Sequence, residues 1–74
     1  MKVEAIGLLC PEPIMMLHKA INKSSSGDII ELKVTDPSAE RDVEKFCSFL
    51  GHELLDKKRK GNQIDFKIKK KIDN

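Results

Sequence analysis

The sequence predicts an α/β protein of the α+β type: a two-layer sandwich with two helices on one face of a four-stranded mixed sheet. Three observations lead there. Apolar residues switch between a period of two and a period near 3.6, in the order β-α-β-α-β-β. Each helical segment has a single apolar stripe and each later strand a single apolar side, and helices laid on one sheet face satisfy both. The chain has 74 residues, which suits a single domain over 1–74 with no linker or internal repeat.

The elements follow in order. Val3 to Leu8 is short and mostly apolar and reads as a strand, punctuated by Gly7. Pro11 to Lys23 reads as a helix, because Ile14, Leu17, His18 and Ile21 recur on one face. Ser24 to Asp28 is a loop by composition. Ile29 to Val34 alternates, with Ile30, Leu32 and Val34 on one side and Glu31 and Lys33 on the other, as in a half-buried strand. Asp36 fits an N-cap and Pro37 the first helical position, where its missing N–H is no loss. Ala39, Val43, Phe46, Cys47 and Leu50 then form one stripe, and Gly51 suits the residue just past the helix end. Glu53 to Lys60 is a strand and Lys60-Gly61-Asn62 a turn. Ile64, Phe66 and Ile68 alternate with Asp65, Lys67 and Lys69 in a last strand.

Composition excludes some function classes. Two cysteines do not make a disulfide scaffold. No apolar run approaches the roughly 18 residues of a membrane span, and MKVEAIGLL is too short and too acidic for a signal peptide, so a cytoplasmic location is expected. A domain this small buries only about 60% of its unfolded surface, so its stability margin is thin. The net charge of +2 hides a polarity: residues 1–52 hold 6 basic and 8 acidic residues, and residues 53–74 hold 8 basic and 4 acidic. The basic end suggests RNA or an acidic protein face. With no Tyr or Trp and three Phe, base-stacking platforms are poor, and edge-strand lysines that discourage aggregation are the simpler reading.

The chemistry centres on GLLCPEPIMM, residues 7–16. A thiolate is the nucleophilic form of cysteine, and the positive end of a helix dipole favours it. With Cys10 as N-cap, the sulfur would sit at that end. Pro11 and Pro13 carry no N–H, Glu12 adds a negative charge, and Leu9 brings no cation, so the local gain is modest. What the prolines supply is rigidity, since two fixed φ angles hold the backbone near Cys10 in one shape. A stiffly presented thiol suits a group handed between proteins, because less must be ordered at each encounter. Cysteine is also a common buried apolar residue, so burial of Cys10 stays open on residue type alone. Cys47, on the second apolar stripe, reads as core, and its pairing with Cys10 is not decided by sequence. His18 and His52 match no zinc spacing with the cysteines. Met15 and Met16 read as rim and core packing.

These residues resemble a known family. Gly7 to Met16 is similar to the signature of the TusA (SirA-like) sulfur-carrier family. A second block matches in order: Thr35 to Ala39, Arg41-Asp42, Phe46-Cys47 and His52-Glu53-Leu54, which points to the TusA branch. The resemblance implies that Cys10 accepts persulfide sulfur from a cysteine desulfurase and passes it to a relay acceptor protein. It also implies that the relay ends in 2-thiolation of a tRNA wobble uridine, with no bound cofactor and no metal. Pro11 and Pro13 then hold the loop, Asp36 caps a helix, and Arg41 either carries a surface charge or meets a partner. The chain departs from the pattern at Glu4, where the family has Asp, and at Leu9, where it has a basic residue. A persulfide carrier acting as a sulfurtransferase-type relay component is the leading expectation. It would be a monomer, with no membrane association and no direct tRNA contact. A redox-sensing or regulatory docking module of the wider SirA-like group is the alternative, and an RNA-binding domain using the basic C-terminal hairpin the third.

Overall fold

The alternating run at Ile29 organises the sheet. The structure, a computed structural model, describes residues 1–9 and 11–72. In chain order the elements are β1 (Lys2–Ala5), α1 (Glu12–Lys23), β2 (Ile29–Val34), α2 (Pro37–Leu50), β3 (Glu53–Lys60) and β4 (Gln63–Lys69). The sheet order is β1-β2-β4-β3. β2 pairs parallel with β1 and antiparallel with β4, and β4 pairs antiparallel with β3, so the sheet is mixed, as expected.

One face of the sheet is apolar. Val3, Ala5, Ile30, Leu32, Val34, Ile64, Phe66 and Ile68 are buried there, beneath Leu17, Ala20 and Ile21 of α1 and Ala39, Val43 and Cys47 of α2. Burying each larger aliphatic or aromatic side chain contributes about 1.5–3 kcal/mol, so this layer is the principal source of stability. Both predicted stripes face it, with their margins left out. His18 is exposed on α1, and Leu50 is exposed at the end of α2.

α2 begins and ends as its sequence requires. Asp36 caps it, its side chain accepting a hydrogen bond from the Ser38 N–H at 3.0 Å. Gly51 takes the left-handed conformation at φ 81°, and its N–H donates to the Cys47 carbonyl. β1 is shorter than the apolar run suggested. It stops at Ala5 because the chain turns at once: Leu8 N–H donates to the Ala5 carbonyl at 3.2 Å, with Gly7 at φ 81°. A positive φ at the third residue of such a turn marks type II and favours glycine.

β3 contains a register shift between Leu54 and Asp56. Leu54 lies opposite buried Ile68, but after the bulge Lys57 and Arg59 lie opposite Phe66 and Ile64. The extra residue therefore turns Lys57 and Arg59, not Asp56 and Lys58, toward the helical layer. They meet acids of α2: Lys57 lies 2.8 Å from Glu44 and 3.4 Å from Glu40, and Arg59 lies 2.6 Å from Glu40. The Arg59 hydrogen bond is the main reason that the Glu40 carboxyl titrates below its ordinary range. On the open face the paired residues form two rows, Lys2–Glu31–Lys67–Asp56 and Glu4–Lys33–Asp65–Lys58, each alternating in sign. Neighbouring charges there oppose one another along and across the strands, the favourable arrangement for cross-strand pairs.

Candidate functional site at the carboxyl edge of the parallel strands

Because β1 and β2 are parallel, both end at the same edge of the sheet. Each is followed by a helix, so α1 and α2 both start there. β4 runs antiparallel to β2, which brings the Gly61-Asn62 turn to that edge as well. In open α/β sheets, ligand chemistry gathers outside the carboxyl ends of the strands, where helix starts supply positive dipole ends. The GLLCPEPIMM segment crosses this edge.

Cys10 lies outside the described residues, and the chain on either side of it is described. Leu9 is 71% exposed, and Pro11 is also exposed. Glu12 N–H donates to the Leu9 carbonyl at 3.0 Å, so the chain on the two sides of position 10 is drawn together. The sequence suggested Cys10 as the helix cap, and the structure corrects this: Pro11 is the N-cap. Met15 N–H donates to the Pro11 carbonyl at 3.1 Å, which sets the first turn one residue later. Proline has no side-chain acceptor, and among the described residues no side-chain hydrogen bond caps α1. Pro13, its ring buried, stiffens the same turn.

Cys47 is the opposite case. It is 3% exposed on the core face of α2, and burial alone pushes its thiol up to about 11. A thiol in that range stays protonated at neutral pH and is a poor nucleophile. The core role read for it therefore holds.

The structure brings both His18 and His52 against Phe46. His18 makes a T-shaped pair with the ring and His52 a stacked one, each with centroids 5.9 Å apart. His52 Nδ1 also accepts the Lys71 N–H at 2.9 Å, so that nitrogen is already engaged. Among the described residues no cluster of three or more His, Cys, Asp or Glu could hold a metal ion. Met15 is exposed, while Met16 packs against the core, the division expected of them. Arg41 is exposed at the start of the second turn of α2.

Along the outer seam between the helices runs a shallow apolar groove. Its two adjoining parts share Ile14, Phe46 and Phe49 as lining, with Pro11 in one part and Met15 and Leu50 in the other. Phe49 is 89% exposed. Sequence reading missed Phe49, which falls off the buried stripe of α2. An aromatic on the outer face of an otherwise polar helix was the available signal.

The basic end is less basic in three dimensions than in sequence. Lys57 and Arg59 are paired with Glu40 and Glu44, and Lys58 lies 3.8 Å from Asp56. Lys70 Nζ donates to the Ser24 carbonyl at 2.6 Å.

This arrangement is that of a SirA-like two-layer fold. A SirA-like protein from Desulfitobacterium hafniense superposes with a TM-score of 0.82, covering 95% of this chain and 96% of that one. At 18% identity, that likeness speaks for the fold alone. The sequence carries the assignment further. The family model described as Sulfurtransferase TusA matches residues 1–70. The chain is 46% identical over 71 residues to the sulfur carrier protein TusA of Pseudomonas entomophila, covering 96% of this chain and 89% of that protein. It is 44% identical over 71 residues to the protein of the same name from Pseudomonas paraeruginosa, covering 96% and 90%. The chain belongs to the TusA family. No described helix is long and apolar enough to cross a membrane.

Proposed function

We propose that this protein is a sulfur carrier and that Cys10 holds the transferred sulfur as a persulfide. The Cys10 thiolate attacks the outer sulfur of a donor persulfide, R–S–SH. A new sulfur–sulfur bond forms at Cys10, the donor's bond breaks, and the donor leaves as a thiolate. A thiolate of the acceptor then attacks the outer sulfur of Cys10–S–SH and frees Cys10 in the same way. One sulfur–sulfur bond forms for each that breaks, so neither step needs an external oxidant or reductant. The donor is a cysteine desulfurase and the acceptor a relay protein, in a pathway ending in tRNA wobble-uridine 2-thiolation. Residues 1–74 act as one domain, as a monomer in the cytoplasm.

The setting of position 10 is the main support for this reading. Its two neighbours are exposed, at a helix start with no side-chain cap, on the edge where the parallel strands end. The relatives named sulfur carrier protein TusA point the same way. The apolar groove that reaches Pro11 offers a protein partner a contact surface beside the reacting segment. The sign-alternating open face and the paired β3 cations leave little continuous basic surface for a tRNA backbone, which favours a carrier that meets proteins.

A loading assay tests the proposal. Reduced protein is incubated with a cysteine desulfurase and L-cysteine, then mapped by intact and peptide mass. A reductant-labile gain of about 32 Da, one sulfur atom, on the Cys10 peptide is expected. No gain, or an equal gain on Cys47, would sink the carrier reading in favour of a redox-sensing or docking module.

A further inference from the structure

We infer that Thr35 is a positioning residue for sulfur transfer at Cys10, an inference that rests on the carrier reading above. The segment between β1 and α1 is held by few bonds. Leu8 N–H to the Ala5 carbonyl and Glu12 N–H to the Leu9 carbonyl are local turns. Both close over only three residues. The hydrogen bond from Gly7 N–H to Thr35 Oγ1, at 2.8 Å, is different. Among the described residues it is the hydrogen bond that ties residues 6–9 to a part of the chain distant in sequence, the junction between β2 and α2.

The tie has a rigid anchor. The last β1–β2 pair is Ala5 with Val34, so Thr35 is the first residue past the end of the ladder. Its hydroxyl continues with a side chain the pairing that the backbone gives up when β1 turns away. Val34 is fully buried on one side of it, and Asp36 caps α2 on the other. A β-branched side chain adds a restricted χ1 to that fixed backbone. Gly7 meets nothing within 4 Å of where a Cβ would stand, so its backbone conformation, and not space, calls for glycine. Thr35 and Gly7 thus fix the exit from β1 three residues before Cys10. A segment fixed in advance has less to order when a partner docks, and the benefit falls on productive encounter.

Thr35→Val keeps the shape and removes the acceptor, while Thr35→Ser keeps the acceptor. In desulfurase loading, Thr35→Val is expected to raise KM for the carrier by about three- to tenfold, with kcat within about twofold. Thr35→Ser should fall within about twofold of the original protein in both. Amide exchange at Gly7 should accelerate by about tenfold in the Val variant only, as expected when a protecting bond is lost. The pH midpoint for alkylation of Cys10 by neutral iodoacetamide should stay put in both variants, because Thr35 brings no charge. Thr35→Val loading like the original protein, or Thr35→Ser as slow as Thr35→Val, would overturn the inference and leave the carrier reading intact. If the unaltered protein takes up no sulfur in the same assay, the carrier reading falls and takes this inference with it.

Discussion

The two helices start on the same edge of the sheet, and each is associated with a cysteine, yet they treat it in opposite ways. α2 is closed: Asp36 satisfies its first turn, Gly51 ends it, and Cys47 is sealed against the core. α1 is open: its cap is a proline with no side-chain acceptor, and Leu9 and Pro11, on either side of position 10, are exposed. An open helix start forgoes the roughly 0.5–2 kcal/mol that a good cap supplies. It also leaves the positive end of the helix free for another negative group. On the proposed carrier reading, one helix holds the layers together and the other presents the segment that carries the sulfur.

The sharpest break of this contrast is Cys10→Ser against Cys47→Ser. The first should abolish persulfide loading, and the second should leave most of it, as read by peptide mass. A loss confined to Cys47→Ser would reverse the roles assigned to the two helices.

The pH dependence of unfolding tests the closed side. The Cys47 thiol is raised from about 9 to about 11 by burial, so the folded state keeps its proton where the unfolded state loses it. Stability from this group is present in full below pH 9. It falls between roughly pH 9 and 11, by up to about 2–3 kcal/mol, and then levels off. Denaturant unfolding of the protein and of Cys47→Ala should diverge in slope across that window. Parallel curves would mean that Cys47 is not sealed.

Removing the α2 cap comes next. Asp36→Ala should lower stability by about 1 kcal/mol, or roughly 4–8 °C in melting temperature for a domain of this size. Scanning calorimetry reads this directly, and an unchanged melting temperature would count against the cap. The smallest effect is the reciprocal experiment on α1. Pro11→Ser offers the missing acceptor and should stabilise the fold by no more than about 0.5–1 kcal/mol, while slowing desulfurase loading. Faster loading in this variant would show that the open start is not part of the presentation.

Much of the closed half was legible in sequence, because caps act over a few residues. Asp36-Pro37 and Gly51 name the ends of α2 through the donors that they satisfy or omit, with no need of the rest of the chain. The open half was legible in kind but not in register. Pro11-Glu12-Pro13 fits the start of a helix equally well one residue earlier, so the cap fell on Pro11 and not on Cys10. Phe49 went unseen because an apolar residue off the stripe carries no periodic signal.

By itself the sequence determined the element order, the apolar faces of α1, α2, β2 and β4, both ends of α2, and the family, since period, caps and motif are properties of neighbouring residues. Only the tertiary structure decided where the charges of β3 go. A single bulge shifts that strand by one residue and sends Lys57 and Arg59 to Glu40 and Glu44, and a period-two element turns over completely with one such step. The tertiary structure also decided that Thr35 holds Gly7. These two residues lie 28 positions apart, and what joins them is the parallel register of β1 on β2, a long-range pairing with no local signature.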